Sequence, residues 1–136
     1  EHLKDARLFL ECGTARIAAE RATEAQVAQL RLAVAQQRAA ADNIDLFIER
    51  DMAFHREIAS IGGNPIFPAI VEALFRWAGE YYQSMVRAPG AEALTLAEHS
   101  RIVDAIEAKD PEAAAQAMHA HLSRANALYQ QLIRTP

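Results

Sequence analysis

The sequence is short of the residues that staple a chain, cross a membrane or grip nucleic acid. A single cysteine, Cys12, excludes an internal disulfide and any metal site built from several thiolates, so a metal here must take nitrogen and oxygen ligands. No stretch approaches the ~20 apolar residues of a membrane span, and no basic-then-apolar leader is present. A soluble, cytoplasmic chain with no membrane partner is expected. Positive charge is also scarce: 14 Lys and Arg face 18 Asp and Glu, for a net charge of −4. Phosphate contacts need a basic stripe, so any DNA contact should lie outside these residues. With only five glycines and five prolines, few points break the chain into short elements.

What is present is an ordinary globular composition, 51% apolar and 24% charged over 136 residues. That length suits one domain with a real core, spanning residues 1–136. The chain opens on Glu1-His2-Leu3, already helical in pattern and without a methionine, and reads as a domain excised from a longer protein.

Apolar residues recur at three- and four-residue spacing almost throughout, which predicts an all-α bundle. The first helix is expected from Leu3 to Arg21. Thr23 and Gln26 form a capping-box pattern opening a second helix that reaches Ala41. Asp42 is the expected cap of a third, which ends at the Gly62-Gly63-Asn64 turn. Pro65 suits the first turn of a fourth helix carrying Phe75, Trp77, Tyr81 and Tyr82 and ending before Ala88-Pro89-Gly90. A fifth spans Ala93 to Ala108. Asp110 and Pro111 then start a long last helix that reaches Ile133.

The informative positions are polar ones on apolar stripes, because a buried ionisable group is costly unless it is paired, hydrogen-bonded or metal-bound. On the third helix Asp51 and His55 lie one turn apart in the row Ile44, Phe47, Ile48, Phe54, Ile58 and Ile61. His99 falls in the row Leu96, Ile102, Val103 and Ile106, and His121 in the row Ala114, Met118, Ala125, Leu128 and Leu132. Three imidazoles and a carboxylate converging in a bundle suit a divalent metal, zinc, nickel, iron or manganese. The competing reading is four separate core residues, each with its own hydrogen bonds. His119 is an internal control: about 160° around the helix from His121, it should face solvent. His2, near a fraying end, is no candidate.

These four residues lie within recognisable motifs. The run DMAFHREIASIGGNP resembles the Asp-x-x-Phe-His signature of the FadR-type effector (FCD) domain of the GntR family of transcription regulators. In the same order, EHSRIVDAI resembles that family's His-x-x-Ile segment, HAHLSRA its Met-x-x-His-Leu ending and ARLFLE its opening Arg-x-x-x-Glu helix. Within the family the likeness is strongest to sialic-acid-responsive members. The resemblance implies an antiparallel bundle of six to seven helices, usually dimeric, preceded in the full protein by a winged helix-turn-helix domain. It also implies Asp51, His55, His99 and His121 as metal ligands, with zinc the first choice. Asn64 enters as a ligand-binding residue by the same match; its other role would be a left-handed helix terminator.

A metal held this way can accept further oxygen ligands, so a small carboxylate, a sugar acid or another organic acid, is the expected effector. Arg7, in the row Leu3, Leu10 and Thr14, is the first candidate reader of that carboxylate; its alternative is an i,i+4 pair with Glu11. Trp77 and Tyr81 could wall the pocket or be plain core. The stretch Gly79–Thr95 departs most from the family pattern. A metal-dependent hydrolase or lyase is the competing function, but HExxH and paired Glu-x-x-His arrangements are missing, and Glu57 projects from another face. A structural staple in a dimerisation module is the other alternative.

Overall fold

The computed structural model describes residues 1–79 and 90–134, without the side chains of residues 126 and 128–134. Among the described residues there are six α-helices: α1 (His2–Arg21), α2 (Glu24–Ala39), α3 (Ile44–Ser60), α4 (Ile66–Trp77), α5 (Ala91–Glu107) and α6 (Pro111–Arg134). None is long and apolar enough to cross a membrane.

Local chemistry sets most of the boundaries. The Thr23 hydroxyl accepts from Gln26 N at 3.2 Å while the Gln26 side chain accepts from Thr23 N at 3.0 Å, the reciprocal box anticipated at the start of α2. At α3 the cap is Asn43, not Asp42: Asn43 Oδ1 accepts from Leu46 N at 3.2 Å, and α2 closes at Ala39, two residues before Ala41. Asp42 sits in the turn one residue too early to reach the free amides of the first helical turn. Asp110 Oδ1 accepts from Ala113 N at 3.0 Å, capping α6 ahead of Pro111 as its sequence suggests. Gly90 has a left-handed backbone, φ 78°, and α5 begins directly after it, at Ala91. The later part of the expected fourth helix, with Tyr81 and Tyr82, lies outside the described residues.

Small side chains let the helices close up. α1 buries Thr14, Ala15, Ala18 and Ala19 and packs against α3, α4, α5 and α6, so it runs through the middle of the bundle. The α3–α4 turn leans on α1 so tightly that a Cβ at Gly62 would lie 2.7 Å from Ile17 Cγ2. There the Arg21 guanidinium donates to Gly62 O at 3.0 Å. Short connections join α2 to α3 and α5 to α6, and each pair packs side by side, as antiparallel helical hairpins do. The main apolar cluster, including Leu30, Phe47, Phe54, Ile58, Ile102, Ile106 and Met118, draws on every helix except α4.

Candidate metal centre

His55, His99 and His121 come from three different helices, α3, α5 and α6, yet each offers a ring nitrogen within 4.8 Å of the others. All three are buried, with exposures of 1%, 0% and 5%. Asp51, one turn before His55, is also buried and flanks them: its Oδ1 lies 3.2 Å from His99 Nε2 and its Oδ2 3.9 Å from His55 Nε2. The four residues picked out by periodicity therefore meet in one place. His119 is exposed, beside Ser123, and His2 is exposed as well.

A ring of polar side chains aims the imidazoles. His99 Nδ1 lies 2.8 Å from Gln37 Oε1, and His121 Nδ1 lies 2.6 Å from Glu98 Oε2. An amide oxygen and a carboxylate can only accept, so Nδ1 carries the proton on both rings. His55 Nδ1 approaches Glu11 Oε1 to 2.5 Å, as an ion-pair contact rather than an aligned hydrogen bond. His99 and His121 thus spend Nδ1 on an outer partner and turn Nε2 toward the centre, where the two Nε2 atoms are 3.3 Å apart, and His55 lies with Nδ1 against Glu11 and Nε2 on the Asp51 side. His55 Nε2 is fully buried and has no hydrogen-bond partner among the described residues.

The electrostatics follow from this arrangement. Burial holds the imidazole of His99 well below its usual value near 6.5, and the neighbouring His121 and His55 push the same way. Burial lowers His121 too, against the opposing pull of its bond to Glu98. Burial raises the Glu98 carboxyl, but hydrogen bonds from His121 and Arg124 outweigh it and leave it below 4.5. For Glu11 burial again acts upward, and the charges and bonds of Arg7 and His55 overcome it, to about 2. Neutral imidazoles with protonated Nδ1 atoms present lone pairs at Nε2. Those lone pairs face one another and the oxygens of Asp51, an array of acceptors that is unfavourable without a positive charge among them. The donor set therefore fits a divalent cation of nitrogen and oxygen preference.

The apolar stripes of α3, α5 and α6 do not reveal the outer ring. Gln37 was detectable in principle, since Leu30, Val34 and Gln37 follow helical spacing. From the sequence Glu11 is expected only as a partner for Arg7. That pair exists, with Arg7 Nε donating to Glu11 Oε2 at 2.6 Å, but both residues are buried and Glu11 also serves His55. Glu98 gave no periodic signal, and only the packing of α6 on α5 brings it to His121 and to Arg124.

The remaining expected site residues lie as follows. The Arg7 guanidinium stacks over the Phe75 ring at 4.5 Å, and Phe75 also lies against His55, 5.2 Å between centroids. Trp77 is 71% exposed, so it is not core; among the described residues the aromatic rings against the histidines are Phe75 and Phe54, the latter stacked on His99 at 4.1 Å. Asn64 is exposed and its Oδ1 accepts from Ile66 N at 3.0 Å, helping to start α4. It is not a left-handed terminator, because the positive φ of that turn, 82°, belongs to Gly63, which pays no Cβ penalty. Tyr81 lies outside the described residues.

Residues 2–124 match the family described as the FCD domain, and the chain belongs to that family, the effector-domain class of GntR-type regulators. Among curated proteins it is similar to the HTH-type transcriptional repressor NanR of Citrobacter rodentium, 38% identical over 136 residues, covering 96% of this chain and 51% of that protein. NanR of Salmonella schwarzengrund is 39% identical over the same shares of each chain. The chain spans about half the length of these curated relatives, which are transcriptional repressors. Among solved structures, E. coli McbR/YncC matches with a TM-score of 0.82 at 22% identity, covering 96% of this chain and 64% of that one. Streptococcus agalactiae GntR matches with a TM-score of 0.76 at 26% identity, over 93% and 57%.

Proposed function

We propose that this chain is the effector-sensing part of a transcription regulator, and that it binds a small carboxylate at a divalent metal held by Asp51, His55, His99 and His121. The observation that carries the reading is the buried convergence of a ring nitrogen from each of three histidines with the Asp51 oxygens, while His55 Nε2 makes no hydrogen bond among the described residues. Zinc is the first candidate because it takes imidazole and carboxylate readily; nickel, manganese and iron share that donor set. The ion would supply the local positive charge. The residues do the rest: Glu11, Gln37 and Glu98 orient the imidazoles, and Phe54 and Phe75 wall two of them.

Arg7 is the proposed reader of the effector's acidic group. Its guanidinium is fixed by Glu11 and Phe75 on the His55 side of the centre, a pre-oriented cation at low exposure. The likeness to NanR repressors favours a sugar acid such as sialic acid. DNA contact is assigned to the part of the full protein outside this chain, in keeping with the charge of −4 and the greater length of the relatives, and the regulator would work in the cytoplasm. Exposed apolar side chains on α1 and α4, Phe9, Ile66, Ile70 and Trp77, support assembly into a homodimer through those helices.

The test is calorimetric titration of the metal-loaded chain with N-acetylneuraminate, lactate, citrate and a hexuronate, repeated after chelation. Saturable binding of one acid that disappears with the metal supports a metal-assisted sensor. Retention of metal with no binding of any acid would move the site to a structural staple.

A further inference from the structure

Gln37 belongs to α2, which contributes no proposed metal ligand, yet it is wholly buried, at 0% exposure, with both ends of its amide engaged at the centre. Its Nε2 donates to Asp51 Oδ1 at 3.1 Å, and its Oε1 lies 2.8 Å from His99 Nδ1. We propose that Gln37 is a positioning residue that sets the tautomer of His99, and so controls how readily that ring binds a metal. This inference rests on the metal-centre reading above.

The argument runs through hydrogen-bond polarity. A carboxylate oxygen of Asp51 can take only the NH2 end of the amide, which fixes the amide's direction. The carbonyl end must then face His99 Nδ1, which must donate. A neutral imidazole has one N–H, so placing it on Nδ1 leaves Nε2 with a lone pair aimed at the centre. Were the amide reversed, its NH2 would face Nδ1, the proton would move to Nε2, and an N–H would point where the ion belongs. One amide thus couples a carboxylate on α3 to a ring on α5, and it does so without adding charge. His55 and His121 differ in being held by carboxylates, Glu11 and Glu98, which carry their own arginine partners, Arg7 and Arg124. A carboxylate at position 37 would instead lie against Asp51. The neutral amide satisfies both neighbours at once.

The test uses the chain itself with Gln37→Leu and Gln37→Glu, read by circular dichroism for folding, by chelator competition for zinc affinity, and by long-range 1H–15N NMR for the protonated nitrogen of His99 in the metal-free form. Loss of such an outer partner costs metal affinity about 10- to 100-fold. The expected result is a loss of that size for Gln37→Leu, together with a shift of the His99 proton from Nδ1 to a mixture of tautomers. Gln37→Glu keeps the acceptor for His99, so it should retain the Nδ1–H signature while still weakening zinc through repulsion of Asp51. Unchanged zinc affinity and an unchanged Nδ1–H signal in a folded Gln37→Leu would overturn the proposal; if Leu does not fold, loss of the Nδ1–H signal in Gln37→Glu does so. If the unsubstituted chain binds no zinc, the metal reading fails separately, and the tautomer measurement on metal-free protein still decides the role of Gln37.

Discussion

Leu30, Ile58, Ile106 and Ala114 form part of one apolar cluster, whereas Gln37, Asp51, His99 and His121, each seven residues along the same four helices, are just as buried and all polar. Seven residues are about two helical turns, so the bundle carries an apolar layer and a polar layer on the same faces. In α2 and α6 the polar member follows the apolar one, and in α3 and α5 it precedes it, as antiparallel neighbours require. The two layers differ in what they need. Apolar side chains gain from leaving water whatever else is bound, at roughly 25 cal/mol per Å² of area removed from solvent. Buried acceptors facing one another gain only if a cation or proton lies among them. A fold can rest on the first layer and answer to a ligand through the second.

The comparison breaks most directly at its apolar side. Ile106→Ala should lower stability by about 2–5 kcal/mol, as buried aliphatic truncations do, and by the same amount with metal or with chelator. Urea unfolding under both conditions would check this. A loss confined to the metal-loaded form would show that the layers are not independent. Next in size, His99→Ala should remove bound metal and the stability that the metal confers, about 2.7 kcal/mol when free metal stands a hundredfold above its dissociation constant. Calorimetry with elemental analysis would show the gap between this variant and the parent narrowing once both are chelated, to what the lost packing on Phe54 and the lost bond to Gln37 cost.

The pH dependence sharpens the contrast further. His99 and His121 have folded values depressed below 6.5, so the unfolded chain binds more protons below that point, and their contribution is present above it and lost as pH falls. The metal-free chain should therefore lose stability from about pH 6.5 downward, by at most about 1.4 kcal/mol per pH unit for each proton gained on unfolding. Glu11, lowered from 4.5 to about 2, adds a second loss only below pH 4.5. A flat profile between pH 7 and 5 would contradict the buried, neutral state of the histidines. Smallest of all, His119→Ala should leave metal content unchanged and stability within about 0.5 kcal/mol, although it lies two positions from His121. Loss of metal in that variant would reverse the assigned phase of α6.

Much of this was legible because helices repeat. The spacing of Ile44, Phe47, Phe54 and Ile58 on one helix, and of Leu96, Ile102 and Ile106 on another, marks Asp51, His55 and His99 as inward without any knowledge of the partner helix. Capping chemistry is as local, and it placed Thr23, Gln26 and Asp110 correctly while erring by one residue at Asn43. Trp77 shows the limit of such spacing: Phe75 and Ala78 on either side of it are buried, while the indole is 71% exposed because the phase of α4 turns it away from that packed face.

By itself the sequence determined which elements form and which way their faces turn, since backbone hydrogen bonding, caps and the 3.6-residue period act within a few positions of the chain. The meeting of those faces was decided only in three dimensions. Glu98 reaches His121 across α5 and α6, Glu11 reaches His55 across α1 and α3, and Gln37 ties Asp51 to His99 across three helices. Each contact spans residues remote in sequence, and the direction of a single amide, set by what lies on either side of it, is information that no local pattern carries.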